Sequence, residues 1–114
     1  MMNQAMLVGR LTRDPEVVEN ESGTKYSNLT LAVPRNFKNE DGVYETDFIE
    51  ITLWNNIAEN TSEYCKKGDL IGVRGRIQVD SYEVDGEKRS SQKIVADRVT
   101  FLSSRPKPEP EPAL

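Results

Sequence analysis

The chain has 114 residues, with 15 Lys and Arg against 19 Asp and Glu, a formal net charge of −4. That length allows one domain of modest core plus a short tail. With no histidine and a single cysteine, Cys65, the composition excludes a disulfide framework and a Cys/His zinc site.

In chain order, Met6 to Leu11 is a short apolar run and the first predicted strand. Asn20 to Gly23 is a turn. Lys25 to Val33 alternates Leu29, Leu31 and Val33 against Asn28 and Thr30, the period of a half-buried strand. Pro34 to Tyr44 is a polar loop with Asp41-Gly42 at its tip. Thr46 to Trp54 is a third strand, alternating Ile49, Ile51 and Leu53 against Phe48, Glu50, Thr52 and Trp54.

Asn56 to Lys67 is the one predicted helix. Ile57, Tyr64 and Cys65 share a face, Lys66 and Lys67 suit the negative end of the helix dipole, and Gly68 suits the stop. Leu70 to Tyr82 is a fourth strand, with Val73, Ile77 and Val79 inside and Arg74, Arg76, Gln78 and Tyr82 outside. Asp85-Gly86 opens a second polar loop that runs to Ser91, and Lys93 to Leu102 is a fifth strand rich in β-branched residues. Arg105 to Leu114 alternates Pro with Lys and Glu, the composition of an extended, disordered tail. The expected division is a folded domain over 1–103 and a tail over 104–114.

The order β-β-β-α-β-β is that of an all-β OB-fold, a five-stranded Greek-key barrel with one helix between strands 3 and 4. Other small barrels share the strand count.

No apolar run reaches the roughly 20 residues that span a bilayer. Met1 to Leu11 lacks the pattern of a signal peptide. The expected location is the cytoplasm, with the nucleoid, where Cys65 stays reduced and packs as a small apolar residue.

The third strand carries the clearest functional signal. If Ile49, Ile51 and Leu53 face the core, Phe48 and Trp54 face out. Exposed aromatics on a strand serve as stacking platforms for bases, or lie under a loop, the tail or a second subunit. Arg74, Arg76 and Tyr82 repeat the pattern as a phosphate track beside an aromatic, or as a solvated basic face. Arg35, Phe37 and Lys38 lie in the first loop and Lys88 and Arg89 in the second, where OB-folds extend their grooves. Because Arg105, Lys107, Glu109 and Glu111 cancel, the negative balance sits on residues 1–102. Any nucleic-acid site is therefore a local basic face on an acidic body.

No catalytic constellation is present. The commonest general base is absent, no glycine-rich phosphate loop ends in Lys-Ser/Thr, and no Ser or Cys nucleophile has an obvious partner. The expectation is a binding protein, not an enzyme, with no cofactor or metal.

Met6-Leu-Val-Gly-Arg-Leu-Thr-Arg-Asp-Pro-Glu-Val17, Leu29-Thr-Leu-Ala-Val33, Ala58-Glu59 through Tyr64-Cys-Lys-Lys-Gly-Asp69, and Val73-Arg-Gly-Arg-Ile77 occur in that order. Together they resemble the bacterial single-stranded DNA-binding protein family over about residues 1–102. The resemblance implies an OB-fold that binds single-stranded DNA without sequence preference, in replication, recombination, repair or DNA uptake. It implies Phe37, Phe48, Trp54 and Tyr82 as stacking residues. Beside them, Arg10, Arg35, Lys38, Arg74, Arg76, Lys88 and Arg89 are the phosphate candidates of the sequence reading. It also implies a homo-oligomer, a tetramer in most of the family, with Asn3 to Val8 as the candidate subunit contact. The family's acidic tail with a Pro-Phe tip, which recruits partner proteins, is not matched by Glu109-Pro-Glu-Pro-Ala-Leu114. The chain resembles a short-tailed member or a longer one cut short, and without that tip its residues give no basis for tail-mediated partners. The acidic domain implies weaker binding with a shallower salt dependence than a basic relative. The competing reading is an OB-fold protein–protein module of a replication or restart complex.

Overall fold

The computed structural model describes residues 1–103. Its elements are β1 (Ala5–Leu11), β2 (Val18–Glu19), β3 (Lys25–Lys38), β4 (Tyr44–Trp54), α1 (Asn55–Tyr64), β5 (Leu70–Val84) and β6 (Glu87–Ser103). β2 is a two-residue strand on β3 that the sequence did not announce. The other five strands make the barrel, in the order β1-β5-β6-β4-β3. It closes where β3 returns to β1 at Arg10↔Ala32 and Leu11↔Leu31. The one parallel pairing is β4 with β6, at Ile51↔Ile94 and Thr52↔Val95. This is the OB-fold, with α1 between the third and fourth barrel strands.

Alternation builds the core. Leu29, Leu31, Ile51, Leu53, Ile71 and Val73 point inward from β3, β4 and β5 and are buried. Leu11, Ile94 and Ala96 complete the interior, and Ala58 and Cys65 plug one end from α1 and its exit. Burial, with the Asp69 charge as a lesser cause, pushes the Cys65 thiol up to about 11, so it is an inert packing residue. Gly75 permits the tight approach of β5 to β6, because a Cβ there would collide with the Val95 backbone.

Several boundaries differ from expectation. β3 continues through an irregular pairing between Pro34 and Lys38, and β4 begins at Tyr44, so the first loop shrinks to residues 39–43. The Asn39 side chain holds its tip, accepting from the amides of Asp41 and Val43. The second loop is only the turn at Asp85-Gly86. Both residues have positive φ, 51° and 78°, as a two-residue hairpin of matching twist requires, and Lys88 and Arg89 are strand residues. The helix ends at Tyr64, before Lys66 and Lys67. The Asp69 carboxylate accepts from the Lys66 amide and Asp14 from the Lys67 amide, which draws the backbone out of the helical path.

Ile77 and Val79 were expected inside but are 44% and 54% exposed. Their phase is right, since the extra residue at the β5–β6 irregularity lies on β6, between Ala96 and Arg98. The β5–β6 hairpin simply runs past the barrel wall, where nothing among the described residues covers that face. The expected tail, 104–114, lies outside the described residues.

Candidate nucleic-acid interface

The β3–β4 register fixes one continuous outer row. Tyr26↔Trp54, Asn28↔Thr52, Thr30↔Glu50 and Ala32↔Phe48 are directly opposed, and opposed residues share a face. Arg10 on β1 opposes Ala32 from the other side, so Arg10 and Phe48 lie on one row across three strands. Phe48 is 66% exposed and Trp54 37%. Trp54 is partly covered by Tyr26, whose ring centroid lies 5.4 Å away at a tilt of 44°. One surface of the indole is thereby braced. Asn55, at φ 55°, turns the chain sharply into α1 just after it.

Two grooves flank this row. One, of about 530 Å3, is lined by Phe48, Ile49, Glu50, Ile77 and Ser91 to Ile94. The other is a polar cleft of about 280 Å3 that includes Arg13, Asn28, Thr52 and Asp80. Glu50 on β4 and Ser91 and Lys93 on β6 line both and make the boundary between them. Two hairpin arms extend beyond the barrel. Phe37, 65% exposed, lies on the β3–β4 arm, near Lys38, whose ammonium sits 5.7 Å from the Tyr44 ring centroid. Exposed Tyr82 lies on the β5–β6 arm, opposite Arg89.

The cations separate into groups. Arg35 is committed to its own hairpin. It donates to both Asp47 oxygens, at 3.1 and 3.0 Å, and to Glu45 at 2.8 Å, on the opposite pleat from Phe48. The hydrogen bonds from Arg35 hold the Asp47 carboxyl below the usual carboxylate range, and Asp47 in turn raises Arg35. Arg74 pairs with Asp97 at 2.9 Å and lines a separate groove with Met6, Val8 and Arg98. It is not brought to the aromatic row. Arg76 donates to Gln78, Gln78 to Asp80, and Lys93 pairs with Asp80 at 3.2 Å, a chain of polar contacts along one hairpin face. The Gln78 hydrogen bond, followed by that of Lys93, lowers the Asp80 carboxyl. Arg10 donates to the Gly68 carbonyl at 2.9 Å, leaving its other guanidinium nitrogens for a ligand. Arg89 holds Glu87 at a loose 3.5 Å, and Lys88 makes no ion pair among the described residues.

Tyr26, Arg13 and Lys93 were not singled out in the sequence. Tyr26 continues the outward alternation of Asn28 and Thr30, which was a usable signal. Lys93 had none, because its place in both grooves depends on its pairing with Gln78.

An exposed aromatic row on the barrel wall, flanked by a groove and two aromatic-tipped hairpins, is the arrangement in which OB-folds hold single strands. The profile of the single-strand binding protein family matches residues 2–102. The chain belongs to that family. Single-stranded DNA-binding protein B of Bacillus subtilis is 47% identical over 108 residues, which cover 94% of this chain and 96% of that one. Single-stranded DNA-binding protein 1 of Clostridium acetobutylicum is 42% identical over 106 residues, 91% of this chain and 96% of that protein. Single-stranded DNA-binding protein 3 of Listeria innocua is 47% identical over 106 residues, but the match spans only 66% of its length. Within this family, the aromatic row and its grooves are the candidate site.

Proposed function

We propose that the protein binds single-stranded DNA with little sequence preference, and that it acts by occlusion, not by catalysis. The observation that carries this is the row of Phe48 and Trp54, exposed on one strand face beside an open groove. Each base stacked on an aromatic contributes about 1–3 kcal/mol, nearly independent of base identity. Phe37 and Tyr82 extend the platform onto the hairpin arms. Arg10, Arg76, Lys38, Lys88 and Arg89, with Arg13, are the phosphate contacts of this reading. Arg35, Arg74 and Lys93 contribute less because carboxylates already hold them at 3.2 Å or closer. Coating a strand blocks re-pairing and nuclease access, which serves replication, recombination, repair or DNA uptake in the cytoplasm. Among the described residues no helix is long and apolar enough to cross a membrane.

The protein works as a homo-oligomer, a tetramer, in this reading. β1 pairs with β5 from Ala5 to Arg10 but with β3 only at Arg10 and Leu11. Residues 5–8 therefore offer a strand edge, with Met6 and Val8 exposed beside it, which supports Asn3 to Val8 as the subunit contact. The Asn3 side chain both donates to and accepts from the Ile77 backbone, holding the start of this segment on β5.

A titration with oligo-dT at two salt concentrations tests the proposal. Trp54 is the sole tryptophan. Saturable quenching of its emission, with affinity falling as salt rises, is the expected result. Unchanged emission together with no mobility shift would leave the protein–protein module as the better reading.

A further inference from the structure

The outer face of β4 carries Phe48, Glu50, Thr52 and Trp54 in succession. A carboxylate thus stands between two stacking platforms, where a phosphate-binding surface gains nothing from a negative charge. Glu50 is exposed and lines both grooves. It makes no hydrogen bond or ion pair among the described residues. Asp80, the other carboxylate of the polar cleft, is occupied by Gln78 on one oxygen and Lys93 on the other. Among the described residues Glu50 is therefore the carboxylate of the groove that no side chain holds.

An ionised carboxylate accepts hydrogen bonds and donates none. Unpaired bases laid on aromatic side chains present their Watson–Crick edges to such groups. At position 4 cytosine carries an amino group, a donor that carboxylates accept from. Thymine and uracil carry a keto oxygen there, whose lone pairs a carboxylate opposes. We infer that Glu50 makes this groove discriminate between pyrimidines, accepting from the cytosine 4-amino group and disfavouring the 4-keto group of thymine and uracil. This rests on the single-strand-binding reading above and adds a composition bias to it. Lys93 precedes Ile94, the partner of Ile51, on the adjacent strand β6 and lines the same two grooves, so a cation shared with Asp80 stands near the carboxylate as a strand approaches.

The test compares oligo-dC and oligo-dU of one length, which lack the methyl difference of thymine, with oligo-dT as the reference ligand. Each is titrated onto the full chain and onto Glu50→Gln, by Trp54 emission and by mobility shift. Glutamine keeps the size of the side chain and offers a donor and an acceptor, so it meets either base, and the position is exposed enough to accept it without cost to the fold. The preference for oligo-dC over oligo-dU is expected to be about fivefold greater in the native chain than in the variant. A preference that agrees between the two proteins within about twofold, the scatter of independent sites, overturns the inference if oligo-dT still binds. A shift toward cytosine in the variant also overturns it, because the carboxylate would then be accepting from the uracil N3–H. Failure of the native chain to bind any of the three oligonucleotides refutes the single-strand-binding reading itself.

Discussion

Phe48→Ala isolates stacking from every other contribution. The ring is 66% exposed and forms no aromatic pair among the described residues, so its loss leaves the fold within about 0.5 kcal/mol. Trp54 is a less clean target, because its removal also strips Tyr26 of its ring partner. One lost base stack is about 1–3 kcal/mol, which is about 5- to 150-fold in Kd. No charge is removed, so the slope of log affinity against log salt stays the same. The assay is Trp54 emission against a short oligo-dT at several salt concentrations, with urea unfolding as the control for stability. An affinity unchanged by Phe48→Ala would remove the β4 row from the site. A lower affinity accompanied by a changed slope would mean that the ring acts by placing cations.

Lys88→Ala should reduce the salt slope by about 0.7, the value for one phosphate contact on a single strand, whereas Arg35→Ala should leave it nearly unchanged. Equal slopes for the two variants would show that the Asp47 and Glu45 pairs do not withhold Arg35 from DNA. The Asp47 and Asp80 carboxyls titrate below their ordinary value of 3.8 in the folded state. Their contribution is therefore complete above the unfolded pKa and is lost as pH falls through the lower folded values. Asp47→Asn should flatten the acid limb of the stability profile below about pH 4, an effect that shrinks at high salt because the pair is exposed. An acid limb identical in Asp47→Asn and the native chain would exclude this pair as a source. Gly75→Ala should destabilise by at least about 1–3 kcal/mol in urea unfolding, since the new Cβ meets the Val95 backbone and not a movable side chain. A native-like midpoint would mean that β6 yields at its irregularity.

Much of the fold was legible because alternation is a local property. Ile51 and Leu53 turn inward and Phe48 and Trp54 outward by the two-residue period of a strand, whatever the neighbours are. The helix between the third and fourth barrel strands followed from its own pattern. Its end did not, because Lys66 and Lys67 leave the helix to bond Asp69 and Asp14, one of them distant in sequence. Loop lengths were overestimated where polar residues continue a strand. Arg35 and Lys88 are hydrophilic, yet both sit on hairpin arms that solvate both faces.

What alternation cannot supply is which element lies opposite. Ile77 and Val79 have the inward phase but outrun the barrel, so whether they are buried depends on the length of the hairpin relative to the wall. Arg35 and Arg74 resemble free phosphate contacts in one dimension. Cross-strand register places Asp47 and Glu45 beside the first, and Asp97 lies beside the second. Register likewise brings Lys93 into the groove and leaves Glu50 without a partner among the described residues. The sequence by itself determined the two faces of each strand, the outward aromatics and the family. The tertiary structure decided which charges remain free to meet a ligand, because pairing between charges is set by register and barrel closure, and these depend on contacts between residues far apart in the chain.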